Sequence, residues 1–299
     1  MRVFLKKYLK LLTVSLAIAI SILTVVLINQ QILYQSIDDA AKARPLNEVA
    51  NINNDIAYCS TDNKSQTLDL ITPKEKIYET NPLIIYVHGG GWNAGDKENS
   101  ITDEYAAQMA ELGIVAASLD YRLSSEAIYP AQNEDITCAI NFLVTNAHTY
   151  EFDVSKMIIM GDSAGGQLAA MEAIAGNHEY LGVIMAYGVS DLNKQITEEK
   201  DKNAVEYLGS KATELAESDS PAFAKSYPDT SFLLIHGTGD SVVPAQESKD
   251  FANILRKNGV NVEYVPIPNA SHAFLGSGDA SDRLARKAML HFIANLLNS

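Results

Sequence analysis

The sequence has 299 residues, of which 47% are hydrophobic and 20% are charged, a composition typical of a globular protein. This length accommodates one α/β domain of roughly 200 to 250 residues together with an N-terminal addition. The formal net charge of -14 argues against nucleic acid as a partner, because an acidic surface repels a phosphate backbone. The charge is instead interpreted as favouring solubility.

Residues 11–28 form an apolar run without charge or proline, just long enough to cross a bilayer as a helix of roughly 17 to 25 residues. Four basic residues precede the run: Arg2, Lys6, Lys7 and Lys10. The next basic residue is Lys42. This asymmetry predicts a cytoplasmic N-terminus, with everything after residue 28 across the membrane.

A cleaved signal peptide is the alternative interpretation of the same run. Beyond the run, the small-x-small triplet that a signal peptidase needs occurs only at Ala41–Ala43, too far downstream. An uncleaved anchor over residues 1–28 and a stalk over 29–50 are therefore favoured. Both interpretations predict export, either membrane-anchored or secreted and periplasmic, and this segment is the only membrane contact expected.

The chain from residue 51 to residue 299 alternates strand-like and helix-like segments. Predicted strands are residues 65–71, 83–87, 114–119, 157–160, 181–187, 232–235 and 261–267. Predicted helices lie near residues 101–112, 132–148, 164–175, 246–258 and 281–297. Short apolar runs rich in β-branched residues suit buried parallel strands. The pattern predicts an α/β domain with a mostly parallel, doubly wound sheet and helices on both faces. Polar residues 192–220 are predicted to form a small insertion over the active site.

A G-x-S-x-G motif at residues 161–165 lies between an apolar strand and a helix-like run. This context predicts a sharp turn that exposes the hydroxyl of Ser163 as a nucleophile. The helix that begins there points its first N–H groups toward any negative charge forming at the serine. The alternative is a glycine-rich packing turn.

A second glycine-rich turn, His88–Trp92, follows the predicted strand 83–87. Acyl transfer places negative charge on a carbonyl oxygen, which fixed backbone N–H groups stabilise. Consecutive glycines allow such close approach of the main chain. A phosphate-binding loop is disfavoured because no G-K-[ST] follows. His88 is interpreted as a structural residue that holds the loop.

Asp240 follows the predicted strand 232–235, and His272 lies in a loop after the last predicted strand. The order Ser163, Asp240, His272 is the one in which this fold places its nucleophile, acid and base. Histidine would activate the serine, and the carboxylate would orient the imidazole. Asp191 is an alternative acid. His236 is interpreted as a hydrogen-bonded core residue, and the remaining candidates as surface or packing residues: His148, His178 and His291.

The two cysteines, Cys59 and Cys138, do not have metal-ligand spacing, and a disulfide framework needs more of them. Cys138 is predicted to be a small buried residue of a helix, and Cys59 to lie in an early strand or turn. A bridge between them is not expected, since it would require Cα atoms within about 7 Å. No metal and no organic cofactor is predicted.

Five segments together resemble the α/β-hydrolase superfamily, specifically its hormone-sensitive-lipase-like and feruloyl-esterase-like carboxylesterases. They are HGGGW at 88–92, DYRL at 120–123, GDSAGG at 161–166, HGTGDSVVP at 236–244 and SHAF at 271–274. The resemblance covers residues 55–297 and implies a small cap or none. It also implies an oxyanion hole formed by the N–H groups of Gly90, Gly91 and Ala164, with Gly89 adjoining. Asp120 and Arg122 would be a structural pair.

The chain departs from the family at two places, since Ser124–Glu126 replaces the usual Ala-Pro-Glu and the acid motif is Gly-Asp-Ser. These departures favour the small-capped feruloyl-esterase-like branch. The resemblance implies hydrolysis of a small-molecule carboxylic ester through an acyl-enzyme. Two alternatives stay open at this point. One is an amide hydrolase of the arylformamidase-like or prolyl-peptidase-like kind, and the other is a non-catalytic, membrane-tethered binding module.

Overall fold

The computed structural model describes residues 44–59, 63–98 and 100–298, and for residues 100–104 it describes the backbone alone. These residues belong to one compact unit, Ala43–Ser299. The predicted anchor and most of the predicted stalk lie outside the described residues. In the part of the chain that is described, no helix combines the length and hydropathy of a membrane span.

Eight strands form one sheet. They are β1 (Ala50–Ala57), β2 (Thr67–Pro73), β3 (Asn81–Val87), β4 (Val115–Leu119), β5 (Phe152–Asp162), β6 (Gly182–Ala186), β7 (Ser231–Gly237) and β8 (Val262–Ile267). Their order in the sheet is β1-β2-β4-β3-β5-β6-β7-β8. Pairing is antiparallel for β1 with β2 and for β2 with β4, and parallel for the other neighbours. The mostly parallel sheet predicted from the sequence is confirmed.

Helices connect and cover these strands. They are α1 (Leu46–Val49), α2 (Ser100–Glu111), α3 (Ala131–Asn146), α4 (Ala164–Ala175), α5 (Leu192–Thr197), α6 (Lys202–Leu208), α7 (Ala212–Leu215), α8 (Ala245–Lys257) and α9 (Ala280–Leu297). The five helices expected from the sequence correspond to α2, α3, α4, α8 and α9. The insertion predicted at 192–220 folds as α5, α6, a 3₁₀ turn and α7, and we call residues 192–220 the inserted segment.

Both faces of the central strands are buried, because side chains alternate across a strand. On β3, Leu83 and Ile85 join the large core cluster that includes α3, α4 and α8. The intervening Ile84 and Tyr86 line a small apolar cavity under α2 and α9. A strand covered on both sides reads as a continuous apolar run, which is why the sequence revealed these strands.

The sequence did not predict β1. Most of its side chains are exposed, and it pairs with the rest of the sheet only through β2. An exposed edge strand therefore carries neither a continuous apolar run nor a polar-apolar alternation. The folded domain, predicted from residue 51, also includes Val49 and Ala50, because both side chains are buried.

The expectation that Cys59 and Cys138 stay unbridged is wrong. They form a disulfide with a Cα–Cα distance of 6.1 Å, joining the segment after β1 to α3. The bonded residues are 79 positions apart in sequence. Their proximity depends on the packing of α3 beside the sheet edge, which spacing does not reveal. Closing a loop of this length stabilises a fold by about 4 kcal/mol in the chain-entropy description.

Candidate active site

The nucleophile elbow, residues 161–165, is the sharp turn between β5 and α4. Ser163 has φ 51° and ψ -122°, in the left-handed region that side chains rarely adopt. Glycine is required on both sides of the serine. A Cβ on Gly161 would lie 2.2 Å from the carbonyl oxygen of Gly165, and a Cβ on Gly165 would lie 2.1 Å from that of Val87. The turn therefore presents a half-buried serine hydroxyl at the carboxyl edge of the sheet.

Ser163, His272 and Asp240 form one hydrogen-bonded chain. The Oγ of Ser163 lies 2.9 Å from Nε2 of His272, and Nδ1 of His272 lies 2.7 Å from Oδ2 of Asp240. A carboxylate only accepts hydrogen bonds, so Nδ1 carries the proton and Nε2 is left to accept from the serine hydroxyl. The structure thus brings together the three residues that the sequence nominated, in the geometry of a nucleophile, a base and an orienting acid.

The carboxylate of Asp240 is fully buried yet held in its ionised form. Its Oδ1 accepts from the backbone N–H groups of Val242, at 2.8 Å, and Val243, at 3.0 Å. Nε2 of His236 approaches its Oδ2 to 3.2 Å. Burial disfavours the charge, but the hydrogen bonds from His236 and His272 outweigh it and hold the pKa of Asp240 well below its usual range. An anion fixed here stabilises an imidazolium at His272.

The oxyanion loop, residues 88–93, lies beside the elbow. Among the described residues, no protein acceptor pairs with the N–H groups of Gly90, Gly91 or Ala164, which leaves them available to a substrate. Gly89 differs from the expectation. Its N–H donates to Oδ1 of Asp162 at 2.9 Å, so it anchors the loop instead of donating to a substrate.

Asp162, the residue before the nucleophile, was not identified from the sequence. It is buried and also accepts from the hydroxyl of Tyr86 at 2.6 Å. Burial raises the pKa of Asp162, while the hydrogen bonds from Tyr86 and Gly89 lower it in part. The side chain thereby connects the elbow to the start of the oxyanion loop.

His88 holds the same loop from its other side, as the sequence analysis expected. Its Nδ1 lies 2.7 Å from the carbonyl oxygen of Gly89, and its ring stacks on Tyr121 at 4.3 Å. Burial lowers the pKa of His88. A neutral, stacked ring suits a structural role.

The expected pair of Asp120 with Arg122 is not formed. Arg122 instead makes a bidentate contact with Asp135, with Nη2 2.7 Å from Oδ1 and Nε 2.8 Å from Oδ2. Asp120 accepts from the backbone N–H of Lys97 at 2.7 Å. Both residues follow β4, and each has its partner in a different segment: Lys97 for Asp120 and Asp135, in α3, for Arg122.

The other candidate residues have structural partners. Asp191 caps α5 by accepting from the N–H of Lys194 at 3.0 Å. His236 is buried, and its Nδ1 lies 2.7 Å from Oγ of Ser248, which confirms its interpretation as a core histidine. His178 contacts Glu172 at 2.9 Å. His148 and His291 are absent from the pocket that contains Ser163. Among the described residues, no group of three or more His, Cys, Asp or Glu side chains could hold a metal ion.

A pocket of about 520 Å³ opens above Ser163 and His272. Gly90, Gly91 and Trp92 form one part of its wall, and the loop that follows Asp240 contributes Ser241, Val242 and Val243. The inserted segment contributes Glu199, Asp201 and Asn203. The prediction that residues 192–220 lie over the active site is therefore confirmed, although no sequence signal identified which of their side chains reach the pocket.

The sheet order, the elbow after β5 and the acid and base after β7 and β8 define the α/β-hydrolase fold. The chain belongs to the BD-FAE family, whose profile matches residues 68–255, more than half of its length.

Two curated relatives from Mycobacterium tuberculosis match with less than 30% identity. Esterase LipQ is 28% identical, and the match covers 71% of this chain and 55% of LipQ. Esterase LipC is 26% identical, and the match covers 79% of this chain and 63% of LipC. The chain thus spans between half and two thirds of the length of these relatives.

Solved structures share the fold. Esterase B from Lactobacillus rhamnosis has a TM-score of 0.75 at 22% identity, covering 90% of this chain and 94% of its own. A truncated carbohydrate esterase from gut microbiota has a TM-score of 0.73 at 23% identity, and the match covers 84% of this chain and 98% of the esterase chain. At these identities the likeness concerns the fold alone.

Proposed function

We propose that this protein is a carboxylesterase that cleaves a small-molecule ester through an acyl-enzyme. One observation carries the proposal. Ser163 Oγ lies 2.9 Å from an imidazole that is itself 2.7 Å from a buried carboxylate, beside three N–H groups for which the described residues provide no acceptor, and Ser163 and His272 line a pocket. The names of the relatives LipQ and LipC, both called esterases, support the same reaction.

In the proposed mechanism, Ser163 Oγ attacks the ester carbonyl carbon while its proton moves to Nε2 of His272. The carbonyl oxygen becomes an oxyanion that accepts hydrogen bonds from Gly90, Gly91 and Ala164. When the tetrahedral intermediate collapses, the bond to the alcohol breaks, and the leaving oxygen takes the proton from His272. Water then gives a proton to His272 and attacks the carbonyl carbon of the acyl-enzyme. When this second tetrahedral intermediate collapses, the bond to Ser163 Oγ breaks, Oγ takes the proton back from His272, and the acid is released.

The decisive measurement compares p-nitrophenyl acetate and butyrate with matched anilides on the wild type and on Ser163→Ala. We expect turnover of the esters, and no turnover above background for Ser163→Ala at unchanged circular dichroism. Ser271→Ala, which removes an exposed hydroxyl next to His272, is the matched control and should retain activity. Faster cleavage of anilides would favour the amide hydrolase, and an inactive wild type that still bound ligands would favour a binding module.

We also propose that the domain is exported and held at the membrane by residues 11–28, or released if that segment is cleaved. The disulfide between Cys59 and Cys138 supports this location, because disulfides persist in oxidising compartments. Fractionation should find the full chain in membranes and a chain starting at residue 29 in the soluble fraction. A shortened mature form in the medium or periplasm would instead identify a cleaved signal.

A further inference from the structure

The inserted segment contacts the oxyanion loop directly through Asn203. Nδ2 of Asn93, at the end of that loop, donates to Oδ1 of Asn203 at 2.9 Å. The remaining amide nitrogen of Asn203 faces Gly91, where a Cβ would lie only 2.7 Å from it. The backbone N–H of Asn203 donates to Asp201 at the start of α6, which fixes the residue in turn.

A second contact joins α6 to Trp92 of the loop. The indole stacks on the ring of Tyr207 with centroids 4.8 Å apart and planes 11° from parallel. Nε1 of Trp92 donates to Gln167 at 3.0 Å, and Gln167 donates to Oδ2 of Asp219 at 3.0 Å. The hydroxyl of Tyr207 donates to the same oxygen at 2.6 Å. Trp92 is therefore connected to the inserted segment twice, directly through Tyr207 and indirectly through Gln167 to Asp219.

The loop needs external support because its backbone has little intrinsic preference for its conformation. Gly90, Gly91 and Trp92 all have positive φ, at 115°, 59° and 59°. Glycine populates many backbone states, and a tryptophan with positive φ is strained unless its surroundings hold it. Donors stabilise an oxyanion only when they are fixed before charge develops.

We propose that the inserted segment braces the oxyanion loop, with Asn203 and Tyr207 as positioning residues that hold Gly91 and Trp92. This inference rests on the proposed esterase function, because an oxyanion loop has no other use here. The segment is thus a working part of the catalytic apparatus as well as a wall of the pocket.

The first test is Asn203→Ala in the full chain, assayed on p-nitrophenyl butyrate. We expect kcat to fall about tenfold with little change in KM, because the oxyanion exists only in the transition state. Val205→Ala is the matched control. It lies on the same helix, its side chain is exposed, and it should behave as wild type.

A transition-state analogue distinguishes bracing from a general loss of structure. Butylboronic acid forms a tetrahedral adduct on a reactive serine and places an oxygen where the oxyanion would form. For Asn203→Ala, its inhibition constant should rise by the same factor as kcat/KM falls. Equal inhibition constants in wild type and variant, or an unchanged kcat, would overturn the proposal while leaving the esterase assignment intact. An inactive wild type would instead overturn the proposed function itself.

Tyr207 provides an independent variant pair, with rates expressed per active site titrated by an organophosphate. Tyr207→Phe keeps the ring against Trp92 and should retain most of the activity. Tyr207→Leu removes the stacked ring and should lower kcat and weaken boronate binding about tenfold. Equal behaviour of the two variants would show that the ring does not hold the loop.

Discussion

The nucleophile elbow and the inserted segment both face the pocket, but they are built in different ways. The elbow is recognisable from its own five residues, since its two glycines admit close backbone, including that of β3, and the serine adopts a strained φ. The inserted segment consists of short helices, and its contributions depend on partners more than 100 positions away, such as Asn93 for Asn203. A local motif therefore creates the reactive group, whereas distant side chains shape its surroundings.

The largest effect should come from adding a methyl group at the elbow. In Gly165→Ala the Cβ would lie 2.1 Å from the carbonyl oxygen of Val87 and 2.3 Å from that of His88. Because both neighbours are backbone atoms that cannot rotate away, we expect destabilisation of about 4 kcal/mol and loss of activity. Thermal unfolding measures the loss of stability, and ester hydrolysis measures the loss of activity.

Gly176→Ala, near the other end of the same helix, is the matched control. Its φ is 70°, but the nearest atom to an added Cβ is 4.0 Å away. It should lose only about 1 kcal/mol, from the left-handed conformation. Similar losses in the two variants would mean that the close approach of Gly165 to the backbone of Val87 and His88 does not control the stability of the elbow.

A smaller effect, confined to activity, is expected for Asp240→Asn. The amide can accept from Val242 and Val243 as the carboxylate does, so the fold should be retained. It cannot stabilise an imidazolium and favours the wrong tautomer of His272, so kcat should fall by about 10³- to 10⁴-fold. Steady-state kinetics at neutral pH test this prediction, and Asp191→Asn should show no comparable loss. If Asp191→Asn were the more damaging variant, the acid would be misassigned.

The smallest effect is a pH-dependent change in stability from Asp219, in the inserted segment. Burial raises the pKa of Asp219 to about 7, although hydrogen bonds from three side chains lower it in part: Tyr207, Asn133 and Gln167. In the unfolded chain the pKa of this carboxyl is about 4. Between these values the folded protein holds the extra proton, so the contribution of Asp219 to stability falls as pH rises from about 4 to 7.

Asp219→Asn does not titrate, so its melting temperature should rise relative to wild type between pH 5 and pH 8. Between pH 5 and the folded pKa of about 7 lie roughly two pKa units, so the relative gain across this range is at most about 3 kcal/mol. Asp229→Asn, at an exposed position, is the control for the charge change itself. A constant difference between Asp219→Asn and wild type across this range would show that Asp219 stays ionised in the folded protein.

Particular residues show how far the sequence alone could lead. Strands buried on both faces, such as β3 and β7, appear as apolar runs, and the elbow appears as a motif because its spacing is fixed by one turn. The exposed edge strand β1 and the bridge between Cys59 and Cys138 have no such local signature. Asp120 and Arg122 are near each other in sequence, yet their charges are paired with Lys97 and Asp135, which are brought in by other elements.

The sequence by itself determined the buried strands of the sheet, the elbow and the order of Ser163, Asp240 and His272, because these depend on apolar periodicity, on a short motif and on chain order. Only the tertiary structure decided that the N–H of Gly89 is occupied by Asp162, that His236 supports Asp240, and that Asn203 and Tyr207 meet the oxyanion loop. These contacts join segments whose separation along the chain carries no information about distance. They depend on how helices and loops pack at the edge of the folded sheet.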